Sequence, residues 1–264
     1  MDFAQYRRLG GINWTSLKEI AQSPRHYQHA LMALPRDKRS YSLGRAVHCA
    51  VLEPDVYAAR YVTKPQGIDL RTKEGKRWLE DHRHLEMVSE DVDHIAEAVT
   101  AHPAAMTVLG GLQTEYTIQW TGHAGVSCKA RLDAVGDGRV VDLKTTSRPL
   151  DRFCVEAAQY HYHGQLAYYL DGAIAAQVLS PGSVAYIVAV ETRPPYDVGV
   201  FLLSEQDLQA GRVLYRHCID QLQACTATGL WPGRYPTVAP LSLPIWADGM
   251  GETASDGPAE EEVW

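Results

Sequence analysis

The chain has 264 residues, 45% hydrophobic and 22% charged, enough for a sizeable core, and no apolar run nears the ~20 residues that a membrane span needs. Its cysteines, Cys49, Cys128, Cys154, Cys218 and Cys225, are odd in number and form no CxxC pair, which argues against a disulfide framework, a zinc site or an iron–sulfur cluster. The net charge of −7 argues against a uniformly basic surface, and the opening MDFAQYRRLGG lacks the apolar stretch of a secretory signal, so a cytoplasmic location is expected.

Taken in chain order, Thr15 or Ser16 suits an N-cap, and residues 18–32 read as a helix interrupted near Pro24. Residues 35–41 are polar and basic, as in a loop. A second helix spans 42–53 and is stopped by Pro54. Residues 63–71 look irregular. Helices follow over 72–87 and 89–101, each opened by a capping residue, with a short one after Pro103. The texture then changes to a period of two, and 112–121, 126–135 and 139–146 read as three strands. They are linked by a turn at 122–125 and by the tight Gly136-Asp137-Gly138 hairpin. A long helix over 154–177, strands over 183–191 and 198–203, and a last helix capped by Ser204 and running to about 228 complete the pattern. The expectation is one domain over 1–228, mainly helical to 110 and sheet-based from 111, with an extended or disordered Pro/Gly/acidic tail over 229–264. The class is α+β or mixed α/β, a mixed central sheet flanked by helices.

The strand over 126–135 alternates. Cys128, Ala130, Leu132 and Ala134 form an apolar face, while Ser127, Lys129, Arg131 and Asp133 are turned away from it. In the next strand, Asp142 and Lys144 share a face roughly 6.6–6.8 Å apart, with Leu143 opposite. Pairing through the hairpin sets Asp142 beside Leu132 and Asp133, so the two carboxylates converge. Neighbouring carboxylates repel and raise a pKa. A divalent cation removes that conflict, and Mg²⁺ takes oxygen ligands, to which the Leu143 backbone carbonyl could add. Lys144 could then position or deprotonate a water and stabilise charge on a phosphoryl transition state, which is what phosphodiester hydrolysis requires. Taken singly, the same residues have plainer readings. Asp142 and Lys144 also suit a surface strand pair, and Glu115 a solvated strand acid. His48 sits at the margin of the stripe Leu43, Val47, Ala50 and Val51, where Gly44 leaves room beside it. Gln165 and Tyr169 suit the polar edge of a helix.

Together, Gly44-Arg45-Ala46-Val47-His48, Thr114-Glu115-Tyr116, Arg131-Leu132-Asp133, Val141-Asp142-Leu143-Lys144-Thr145-Thr146 and Gln165-Leu166-Ala167-Tyr168-Tyr169 resemble the PD-(D/E)XK nuclease superfamily. Within it they resemble the RecE-type, exonuclease VIII-like phage recombination exonucleases. The opening Asn13-Trp14-Thr15-Ser16-Leu17-Lys18 and Ser23-Pro24-Arg25-His26-Tyr27 are also similar to that family, and the resemblance covers about residues 12–228. It implies a restriction-endonuclease-like core with N-terminal helical additions. It implies Asp133 and Asp142 as metal-binding acids with His48 as a further ligand, Glu115 as an outer acid aiding a second metal, and Lys144 as the catalytic lysine. Gln165 and Tyr169 would orient the lysine or the DNA backbone. The implied activity is Mg²⁺-dependent digestion of linear duplex DNA from its ends, 5′→3′ to mononucleotides, with Mn²⁺ as a substitute and no iron–sulfur cluster. The implied setting is a bacterial host cytoplasm, a ring of three or four copies and a RecT-type single-strand annealing partner. An endonuclease, a single-strand-specific nuclease or a non-catalytic binding module on the same core remain alternatives. Six of the acids fall within 248–264, which leaves −1 on the remainder, and residues 1–45 hold eight Lys and Arg against three acids. A ring could turn that basic segment inward, with Arg25, Arg45, Lys129 and Arg131 as candidate phosphate contacts. The terminal Glu260-Glu261-Glu262-Val263-Trp264 suits either a docking tail or a solubilising one.

Overall fold

A computed structural model describes residues 3–33, 39–65 and 67–244. The chain opens with α1 (Phe3–Arg8), α2 (Trp14–Leu17), a 3-10 turn over Lys18–Ala21, and α3 (Pro24–Met32). Asn13 caps α2, its Oδ1 accepting from Ser16 N at 2.9 Å. Thr15 and Ser16, expected as caps, already lie inside the helix. Ser23 caps α3 with Pro24 in its first turn, so the Ser-Pro pair begins a new helix instead of interrupting an old one. Next comes α4 (Arg39–Leu52), which takes residues 39–41 out of the expected loop; residues 34–38 lie outside the described residues. Pro54 ends that helix and also opens α5 (Pro54–Arg60). Two three-residue strands, β1 (Tyr61–Thr63) and β2 (Glu86–Val88), pair in parallel. Between them α6 (Lys73–Asp81), capped by Thr72, is shorter than expected. Then follow α7 (Asp91–Ala101) and α8 (Pro103–Leu109).

The main sheet is built from β3 (Gln113–Thr121), β4 (Ser127–Gly136), β5 (Arg139–Thr146), β6 (Val184–Glu191) and β7 (Val198–Leu202), in that spatial order. Neighbouring pairs are antiparallel except β5 with β6, which is parallel. A parallel pair needs a crossover, and α9 (Phe153–Gln159) with α10 (Tyr162–Ala175) provides it. The single helix expected over 154–177 is two helices, because His161 takes a left-handed φ of 58° between them. The last helix, α11 (Glu205–Thr228), is capped by Ser204 and ended by Gly229 at φ 71°. Residues 230–244 lie on the surface without regular elements, where Trp231 stacks on Tyr27 at 5.9 Å and Arg25 N donates to Pro232 O at 3.1 Å. Residues 245–264, which hold the acidic tail, lie outside the described residues. Among the described residues, no helix is long and apolar enough to cross a membrane.

Both faces of the sheet are covered, so this is a mixed α/β fold with the sheet between helical layers. One core joins Leu17, Leu132, Val140, Leu166 and Ile219; the other joins Val47, Val92, Val141, Leu143 and Val188. The strand β4 is therefore not half-exposed. Leu132 packs in the first core and Ala134 in the second, although alternation alone would put them on one face. The break lies at Glu115, whose φ of 51° is left-handed, opposite Asp133. The register Thr114↔Ala134 and Tyr116↔Leu132 shows that no residue is inserted there, so the strand pair is rotated, not bulged.

Candidate metal centre

The strands β4 and β5 pair from Gly136↔Arg139 to Ala134↔Val141 and then part, while β5 continues to Thr146 against β6. At the fork the Asp133 side chain replaces the missing ladder, its Oδ2 accepting from Leu143 N at 2.8 Å. The helix α4 brings His48 to the same place. Its Nδ1 lies 3.5 Å from Asp133 Oδ2, and its imidazole hydrogen-bonds the Leu143 backbone. Gly44, one turn earlier, faces Thr145, whose Oγ1 would lie 3.5 Å from an added Cβ. Its contact is thus with the strand β5. Across the fork, the left-handed Glu115 completes a group: ligand atoms of His48, Glu115 and Asp133 all lie within 4.8 Å of one another.

Beside this group sits Asp142, 1% exposed. Its Oδ1 accepts from Gln165 Nε2 at 2.9 Å, and its Oδ2 forms an ion pair with Lys144 Nζ. Gln165 Nε2 also donates to Tyr169 OH at 3.1 Å, so Gln165 on α10 links Asp142 to Tyr169. The Lys144 ammonium lies over the Tyr162 ring, 4.8 Å from its centre. Asp142 is thus engaged by protein partners, and among the described residues the group whose ligand atoms lie together is His48, Glu115 and Asp133.

The electrostatics follow from burial. Desolvation raises the Asp133 carboxyl above its usual range, and it raises Asp142 to about 6 despite the opposing charge of Lys144. Glu115 is raised by burial and then by the charge of Asp133. His48 is lowered by burial and then by Lys144. Carboxylates crowded in this way, beside an imidazole biased to its neutral form, suit a small divalent cation. Carboxylate oxygens match Mg²⁺, and the imidazole adds a donor that Mn²⁺ accepts readily.

The remaining candidates divide. Lys129 is 6% exposed and donates to Tyr6 O at 3.3 Å and Leu9 O at 2.6 Å, tying the end of α1 to β4. Arg131 is turned to Glu115 and Glu53. Arg25 and Arg45 are exposed. Three site neighbours escaped the sequence reading. Tyr162 could have been found, since it precedes Gln165 by three residues on the same helix. Lys18 lies near enough that the Lys144 charge depresses its ammonium, after burial has done so more strongly. Glu53 carried no signal beyond its place at the end of α4.

Comparison with known proteins agrees with this architecture. No curated protein sequence matches the chain significantly. A protein of Eubacterium rectale, provisionally designated an exonuclease, shares the fold with a TM-score of 0.63 at 12% identity, over 95% of this chain and 97% of that one. The alkaline exonuclease LHK-Exo of Laribacter hongkongensis is more distant. Its complex with dAMP gives a TM-score of 0.35 at 13% identity over 85% of this chain and 95% of that one, and a second structure gives 0.24 at 13% identity over 67% and 100%. The profile of a PDDEXK-like domain of unknown function (DUF3799) matches residues 13–238, a span that takes in α2 to α11, the whole sheet and the fork. The chain belongs to that PDDEXK-like family.

Proposed function

We propose that the chain is a divalent-cation-dependent DNA nuclease, and more narrowly a RecE-type exodeoxyribonuclease that degrades linear duplex DNA from its ends, 5′→3′ to mononucleotides. The observation that carries this reading is the fork itself, where His48, Glu115 and Asp133 lie within 4.8 Å of one another and the Asp142–Lys144 ion pair stands alongside. When bound, Mg²⁺, or Mn²⁺ in its place, supplies positive charge that polarises a phosphodiester and acidifies water. His48, Glu115 and Asp133 would hold the ion, with Asp142 and the Leu143 carbonyl as further oxygens. Lys144, held against Asp142 and Tyr162, would orient the attacking water and balance negative charge as the phosphorus–oxygen bond breaks. Gln165 and Tyr169 would keep the Asp142 carboxyl in one orientation.

The same reading includes a ring-shaped assembly of three or four copies in a bacterial cytoplasm, acting beside a RecT-type annealing protein. Arg25 and Arg45, exposed on the basic N-terminal segment, would meet DNA phosphates in it. End-labelled linear duplex and covalently closed circular duplex, each with Mg²⁺ or EDTA, test the proposal. Mononucleotides from the linear substrate alone, and only with Mg²⁺, are expected. Cleavage of the circle would assign an endonuclease, and DNA bound but uncut under every condition would reduce the chain to a binding module.

A further inference from the structure

One candidate ligand is already engaged. Arg131 Nε donates to Glu115 Oε2, and another nitrogen of the same guanidinium lies 4.0 Å from Glu53 Oε2. The side chains are shielded, with exposures of 14% for Arg131, 20% for Glu115 and 32% for Glu53. Arg131 stands opposite Thr117, two residues before Asp133. The left-handed backbone at Glu115 departs from the strand path there, and its carboxylate meets the arginine two residues back along β4 instead of standing over Asp133 alone.

A two-cation centre needs ions about 3.5–4 Å apart, and the second needs oxygens beyond those it shares with the first. Asp142, held by Lys144 and Gln165, already counts among the oxygens of the first ion. Among the described residues, the further acids set beside the fork are Glu115 and Glu53, and the one guanidinium contacts both. When ionised, Glu53, Glu115, Asp133 and Asp142 carry four negative charges against the three positive charges of Arg131, Lys144 and Lys18, so little negative charge is left to draw a second divalent cation.

We infer that the fork takes a single divalent cation and that the Arg131 guanidinium occupies the place a second would need, acting as a positioning residue for Glu115. This rests on the proposed cation centre and departs from the expectation that Glu115 aids a second metal. A guanidinium cannot give up its charge near neutral pH, so in this position it opposes a second cation across the neutral range.

The test is a count. Mn²⁺ is titrated into the EDTA-treated full-length chain, and free ion is followed by its paramagnetic resonance. Asp133→Ala, which removes a ligand of the fork, gives the background of ions bound elsewhere. Above that background, the unaltered chain is expected to bind one Mn²⁺, Arg131→Lys one, and Arg131→Met two, the second more weakly. Two ions on the unaltered chain overturn the inference, as does Arg131→Met holding only one. If Arg131→Met does not fold, Arg131→Gln, neutral but still able to donate to Glu115, gives the same reading. No ion above background on the unaltered chain defeats the cation centre itself, a result distinct from either.

Discussion

The ammonium of Lys144 rests between the Asp142 carboxylate and the face of Tyr162, so two contacts set its position. Lys144→Ala should keep cation and DNA binding while single-turnover hydrolysis falls about 10²–10³-fold, in line with losing one preorganised charge; an undiminished rate would remove Lys144 from its role. Protonation gives a second expectation. A carboxyl raised by burial stabilises the fold while protonated, and that contribution is lost as pH climbs from the unfolded to the folded pKa, for Asp142 from 3.8 to about 6. A cation competes with those protons. The rise in Tm on adding Mn²⁺ should therefore be larger at pH 7.5 than at pH 5, and Asp133→Asn should abolish most of it. Asp142 and Lys144 were legible because a tight hairpin and a period of two fix which residues share a face. The rotation at Glu115 was not, because a left-handed glutamate leaves no compositional mark, and Arg131, read as a phosphate contact, is turned to that glutamate for the same reason.

Among the elements, α10 carries Gln165 and Tyr169 and packs closely on α11. An added Cβ at Gly211 would lie 2.2 Å from His163 O, and one at Gly164 would lie 2.4 Å from the Trp14 ring. Gly211→Ala should force the two helices apart and cost about 1–3 kcal/mol, read from urea unfolding. It should also slow hydrolysis, because Gln165 would shift relative to Asp142. Unchanged stability would show that the helices can slide without loss. The strands β3 to β7 and the helix α11 were legible nearly to their ends, since alternation, the Gly136-Asp137-Gly138 turn and the Ser204 cap are strong local signals. The helix α5 was missed because a proline that stops one helix also starts the next. The strands β1 and β2 are too short to show any period. The division into α9 and α10 rests on His161, which nothing nearby marks as left-handed. The burial of β4 on both faces was hidden as well, since Lys129 reads as a solvent-facing residue until its bonds to Tyr6 and Leu9 are seen.

Along the whole sequence, charge is unevenly distributed. Six acids lie within 248–264, beyond the described residues, while the basic excess lies in the first 45 residues. The surface stretch before the acidic end is tied down by Trp231 against Tyr27 and by Pro232. Removing 245–264 should leave Mn²⁺ affinity and the rate on linear duplex unchanged within about twofold, whereas cutting at 229 should lower Tm through loss of that stack, worth about 0.5–1.5 kcal/mol beyond its buried area. A folded but inactive shorter truncation would tie the tail to the site. The fork, where two strands part around a carboxylate, is the feature that the nuclease reading needs, and anomalous diffraction from crystals soaked in Mn²⁺ tests it directly. The expected map has a strong peak bonded to His48, Glu115 and Asp133, with Lys144 beside it. Full Mn²⁺ loading with no peak at the fork, or those side chains turned to separate surroundings, would contradict it.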